Sequence, residues 1–284
     1  ALTGTDELTI NGSNLTNNGT INTKQLQVLA NGNVTFSTGT TGTYQNQPMD
    51  VFRLRSETGN ITASGYIPSA HLVDLYGPYG TITLSPSVTS LTATADAFGN
   101  GGLININANS LVTGAISMTA NGSYNSGGTI GIGLNGTTPF RVGSGAISMN
   151  VANSAGQPGG SIGVNNGDGI KFDLSYANFG TGAPAGQGGE LRLISGGKLF
   201  VDKTVTLPTN MRSVLLISNS SSDFNLGGAS SNGNGIGDNN KTLSADSIVI
   251  ANNIGDIVRG NNNGLIAYNV TIESGTSGDI GTSS

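Results

Sequence analysis

The chain of 284 residues contains no cysteine and no tryptophan, a single histidine, eight prolines and only 10% charged residues, against about 25% in an ordinary soluble domain. Each shortage removes a class of chemistry. Without cysteine there is no disulfide, no thiolate nucleophile and no Cys-based metal site. With His71 the only histidine, a two-histidine metal site is impossible and a Ser-His-Asp triad has one candidate base. Eleven Lys plus Arg against sixteen Asp plus Glu leave a net charge of −5. That balance argues against nucleic acid as a partner, since affinity for it comes largely from clustered basic side chains. No apolar run approaches the ~18 residues of a membrane helix, so membrane insertion is not expected. A sustained helical stripe is missing as well, because Gly or Asn interrupts almost every window of a dozen residues.

What the chain has instead is glycine (46 residues) and asparagine (34), with Ser and Thr close behind. Disorder requires low hydrophobicity together with high net charge; here the charge is small, and Ile, Val and Leu are plentiful and regularly placed. Gly plus Pro amount to about 19% of the residues, short of the roughly 25–30% of low-complexity chains. The chain opens on Ala1 without a signal peptide, and we expect a mature product or a piece of something larger.

The regularity is a repeat. GGLININA at 101–108 returns as GGTIGIGL at 127–134, GGSIGVNN at 159–166 and GGELRLIS at 188–195, with the Gly pairs 26, 32 and 29 residues apart. GAISMTA at 114–120 returns as GAISMNV at 145–151 after 31 residues, and Ile250 and Ile272 sit 22 apart in two later phrases. Self-similarity at a period of a few tens of residues marks a solenoid. Within each phrase the apolar residues alternate with polar ones, as in Ile104, Ile106 and Ala108 against the intervening asparagines, or Phe52 and Leu54 against Arg53 and Arg55. Period two means half-buried strands. A β-sandwich also has frequent turns, but it has no reason to reuse GAISM one coil later. The expected fold is therefore all-β: a parallel β-helix of roughly ten coils of about 22–32 residues, right-handed, forming one solenoid over 1–284 and a rod about 50 Å long at ~4.8 Å per coil. Residues 1–24 read as an irregular N-terminal coil or assembly segment, 65–80 as a loop leaving the rod, and 227–241 as a Gly/Asn/Ser-rich loop. An uncapped last repeat would expose apolar interior and unpaired strand edges, which leads us to expect end-to-end or lateral self-association.

The alternation GGxIxIxAxSL followed by GAISMTA, together with LSADSIVIANNIGDI at 243–257, resembles the β-helical repeats of filamentous haemagglutinin-like bacterial exoproteins. The resemblance covers most of 81–281. It implies a bacterial surface adhesin or fibrous appendage of the two-partner-secretion type, extracellular and non-enzymatic, with a host or cell-surface glycan or protein as partner. A recognisable N-terminal secretion domain of that family is missing from this sequence.

Other β-helices are polysaccharide lyases or hydrolases, whose sites need several carboxylates, often with Lys or Arg, on one face of adjacent coils. Here the nearest set is Asp168, Lys171 and Asp173, with Glu190 and Arg192 a coil away. An exposed ion pair of small energetic weight explains it more simply, and no catalytic residue is assigned. Isolated Gly-Asp fragments at 167–169 and 235–238 lack the tandem GGxGxD that a calcium repeat requires; no metal and no cofactor are expected. The stretch 65–79 is unusual in holding three tyrosines and two prolines. Tyr66, His71, Tyr76 and Tyr79 are its candidate ligand-binding residues, rings able to stack on a sugar or anchor a partner. Coverage of exposed β-surface accounts for the same rings.

Overall fold

A computed structural model describes residues 2–3, 6–17, 21–39, 42–43, 47–154, 156–180, 183–202, 211–237, 242–259, 264–275 and 278–281. Every strand pairing in it is parallel, and each strand pairs with its equivalent one coil away. The chain is a parallel β-helix. Among the described residues the helical content is one 3-10 turn, Leu174–Tyr176, capped by Asp173.

One face is continuous through eleven rungs, from Glu7–Asn11 to Asn269–Ser274. Its two inward columns are aliphatic almost throughout. The first reads Leu8, Leu26, Phe52, Val73, Ile104, Ile130, Ile162, Leu191, Val214, Ile248 and Val270, each in register with the next. The repeat spacings of the sequence are these registers: Ile104, Ile130, Ile162 and Leu191 are stacked partners, and so are Ile250 and Ile272. Coil length runs from 18 residues between Leu8 and Leu26 to 34 between Val214 and Ile248, a wider range than the phrases alone suggest. Ten steps of ~4.8 Å give a rod of about 48 Å.

A second face passes through Val34–Thr38, Ile61–Gly65 and the far halves of Ala70–Leu84 and Leu103–Thr113. Farther along the rod it is taken up by Phe140–Val142, Ile170–Asp173 and Leu199–Asp202. A third stacks Ser90–Ala93, Ile116–Ala120 and Ile147–Asn150, so that Met118 lies on Met149 and the two GAISM phrases are adjacent rungs. Side chains from the three faces meet in a largely apolar interior where Phe36, Phe52, Phe172, Phe179 and Phe224 are fully buried.

The Gly-Gly pairs occupy the corner between third and first faces, and close approach explains them. A Cβ on Gly101 would lie 2.0 Å from the Gly127 carbonyl oxygen, and one on Gly127 would lie 2.2 Å from that of Gly159. The second glycine meets the strand just left behind: a Cβ on Gly128 would be 1.7 Å from the Ala120 oxygen. None of these glycines has a positive φ, so it is space that excludes other residues. At the next corner the inward position turns polar, with Asn166, Ser195, Ser218 and Asn252 all buried. Their side chains add a second donor to corner carbonyls that already accept a backbone N–H: Asn166 Nδ2 to Gly169 O at 2.8 Å, and Asn252 Nδ2 to Asp256 O at 3.0 Å. Ser195 Oγ lies 2.8 Å from Asp168 O and 2.9 Å from Lys198 O. A buried side-chain donor left without an acceptor would cost about 1–3 kcal/mol, and the corner carbonyls supply that acceptor, which is why a polar column is tolerated inside an aliphatic rod.

Three stretches differ from the sequence expectation. Within 1–24, Glu7–Asn11 and Asn14–Asn17 are ordinary rungs, because Leu8, Ile10 and Leu15 fall in register with Leu26, Val28 and Phe36. Residues 65–80 do not leave the rod. Ala70–Leu84 is a strand of 15 residues that turns the corner from first to second face, and the register shifts between Gly77 and Thr81. Pro78 and Tyr79 lie in that shift, the irregularity at which a sheet accepts proline. In the 227–241 stretch, Gly235–Ile236 is a short strand on Phe200–Val201; residues 238–241 lie outside the described ones.

Candidate functional site

The four candidate residues of 65–79 are spread around one coil. Tyr66 lines a hollow of about 250 Å³ with Thr38, Ser87 and Ser90. His71 Nδ1 is 3.0 Å from the Thr94 carbonyl. Tyr76 faces outward on the first face, its ring 4.8 Å from the Arg55 guanidinium carbon, while Tyr79 is 78% exposed at the corner. Of the four, Tyr66 alone lines that hollow.

The outer surface of the first face carries a hydrogen-bonded chain across five rungs. Thr9 and Gln27 donate to Glu7, each at 2.9 Å; Arg53 donates to Gln27 at 3.0 Å and to Asp74 at 2.7 Å; Asn105 donates to Asp74 at 2.8 Å. Asp74 is nearly buried, and an Arg–carboxylate pair shielded in this way contributes more than the surface pairs elsewhere on the rod. The arrangement pins coil register. Beyond Asn105 the same outward column continues as Gly131 and Gly163, leaving the sheet surface bare.

A second rigid feature is the turn 96–100. Asp96 accepts hydrogen bonds from the Asn100 amide and backbone N–H, both at 2.8 Å, and from Phe98 N–H at 2.9 Å. The Asn100 side chain is the chief reason the Asp96 carboxyl is held below its usual range; the Asn100 and Phe98 N–H groups and the charge of His71 add to it. The cage is therefore intact above the ordinary carboxylate value of about 3.9 and is lost as pH falls through the lowered one. Asn100→Ala should move the Asp96 titration upward, toward that ordinary value, when followed by carboxyl-carbon NMR.

Residues weighed as a catalytic set separate onto two faces. Lys171 and Asp173 do share the outward side of Ile170–Asp173, but Asp173 is turned onto Ser175, accepting from its N–H at 2.9 Å and its hydroxyl at 2.6 Å. Glu190 and Arg192 lie on the first face, where Glu190 is paired with Arg212. Asp168 and Lys171 instead belong to a groove of about 610 Å³ at the corner leading into the second face, with Lys198, Phe200, Asn219 and Asn232. Lys171 Nζ sits 5.6 Å from the centre of the Phe200 ring, and Lys198 Nζ is 3.3 Å from the Asn232 carbonyl. The buried Ser195 holds the backbone of both Asp168 and Lys198, so the groove wall is fixed from beneath. The sequence held a signal for Lys198: the 29-residue step from Ile162 to Leu191 also carries Ile170 to Leu199, which puts Lys198 one rung from Gly169. Among the described residues no group of three or more His, Asp or Glu is placed to hold a metal ion.

Comparison with protein-family models, curated proteins and solved structures found no match.

Proposed function

We propose that the chain is a non-enzymatic, extracellular β-solenoid that acts mechanically, as part of a bacterial surface adhesin or as a subunit of a fibrous appendage. The observation that carries this reading is the unbroken eleven-rung ladder over an aliphatic interior. Such a rod is stiff because each coil is hydrogen-bonded along its length to both neighbours, and it offers a protease few extended segments that are not already paired. The family resemblance of the GGxIxI and GAISM phrases points the same way. On the last rungs Val270 and Ile280 are 45% and 57% exposed, and a further coil would cover them, whether from the same chain or from a neighbouring copy.

Electron microscopy of the purified chain with limited proteolysis tests the reading. Rods about 48 Å long or multiples of that length, cut only at corners, support it. Compact particles cleaved rapidly within the first-face strands overturn it. Sedimentation over a range of concentrations tests self-association, expected as a rise in mass that Val270→Lys suppresses.

A further inference from the structure

We infer that the groove at the second-face corner binds a linear anionic polysaccharide. This inference deepens the adhesive reading by naming a ligand class for a specific place on the rod. It starts from the cations. Four of the described Lys and Arg residues, Lys24, Arg53, Arg55 and Arg212, have a carboxylate partner. The other five described cations, Arg141, Lys171, Arg192, Lys198 and Arg259, have none among the described residues; Lys171 and Lys198 line this groove and Arg141 is one rung from Lys171, in a chain of net charge −5. Arg141 and Lys171 are register partners on adjacent rungs, hence ~4.8 Å apart along the rod. Arg141 lines a separate, smaller hollow of about 190 Å³, and Pro139 borders both it and the groove.

The rest of the lining selects among polyanions. Nucleic-acid grooves combine positive charge with exposed aromatic platforms for the bases, whereas Phe200 is only 5% exposed. A protein partner would look for a desolvated aromatic or aliphatic anchor; here Phe200 and Ile170 are buried, and Asn219, Ser221 and Asn232 add amides and hydroxyls to the lining. Asp168 adds an acceptor for sugar hydroxyls. A pyranose chain advances by about one rung spacing per ring, so its acidic groups can meet successive cations. The anionic group is a carboxylate or a sulfate ester, which ammonium and guanidinium groups bind alike.

Binding of the intact chain to polygalacturonate, dextran sulfate, neutral dextran and single-stranded DNA provides the test. Expected is binding to one or both acidic polysaccharides, weakening as salt shortens the screening length from ~10 Å at 0.1 M to ~3 Å at 1 M. The tighter of the two identifies the acidic group. Lys171→Gln with Lys198→Gln keeps much of the apolar stem over Phe200 and should reduce affinity roughly tenfold or more, the loss expected for two charge-assisted hydrogen bonds. Lys24→Ala, at the other end of the rod, should leave affinity unchanged. Thermal unfolding of each variant verifies that it folds. No binding to either acidic chain, equal binding to dextran or DNA, or affinity indifferent to the double substitution overturns the inference. A rod in the micrographs that fails to bind loses this inference alone; compact particles would remove the adhesive-rod reading itself.

Discussion

Replacing Gly128 by alanine is expected to destabilise the rod by on the order of 3 kcal/mol, although the substitution removes no contact. The new Cβ would stand 1.7 Å from the Ala120 oxygen and 2.3 Å from its carbonyl carbon. Backbone cannot rotate aside as a flexible side chain can, so the corner between third and first faces must open. Opening it also shifts the neighbouring corner, because Gly101 and Gly159 are packed against Gly127 in the coils on either side. Gly163→Ala is the matched control. It lies in the next coil on an open strand face, with nothing within 4 Å of the added carbon, and alanine there should be neutral or stabilising by about 0.5–1 kcal/mol. Urea midpoints of the two variants decide the matter. Equal shifts would mean that the double glycines reflect composition and not packing.

That contrast separates what the sequence made legible from what it hid. The repeat spacings were readable because the rod has translational symmetry: one residue per column must be aliphatic in every coil, so Ile104, Ile130 and Ile162 announce themselves by period and alternation. The glycine pairs were readable as corners for the same reason, but the cause, backbone against backbone in adjacent coils, needs coordinates. The stretch 65–80 was misread because its tyrosines and prolines look like a loop. Tyr66 and Pro68 precede the strand, which holds Tyr76 in register and takes up Pro78 and Tyr79 at a single register shift, with Val73 and Leu75 still buried on either side of Asp74. The first rungs were misread because Asn and Gly on both sides outweighed the short alternation Leu8-Thr9-Ile10. The groove was only half visible. Asp168 and Lys171 stood out as charges in a chain poor in them, yet Lys198, Asn219 and Asn232 come from coils whose lengths vary, and their convergence depends on two successive registers. A site built from non-repeating residues leaves no periodic trace.

Phe52→Ala is the second large effect, about 3–5 kcal/mol, and its reach matters more than its size. Phe52 is fully buried in the first face, in register with Leu26 on one side and Val73 on the other. Its ring meets that of Phe36, from the second face, edge-on with centroids 5.1 Å apart at 68°, a geometry worth about 0.5–1.5 kcal/mol beyond area burial. The substitution therefore weakens two interfaces between coils and one across the interior. In a compact domain such a loss is shared by the whole cooperative unit. In a solenoid each coil touches only its neighbours, so stability is a sum of coil and interface terms and openings stay local. Hydrogen exchange of the variant should accordingly lose protection in Gln25–Ala30, Met49–Ser56 and Ala70–Leu84 while Glu190–Ser195, Ser213–Ser218 and Ser247–Asn252 keep theirs. Uniform loss along the chain would mean one cooperative unit, in which damage at one end of the rod is felt at the other. Local loss would mean that a rod anchored at one end keeps the groove at Lys171 and Lys198 folded while distant coils open, a property suited to a surface fibre under load.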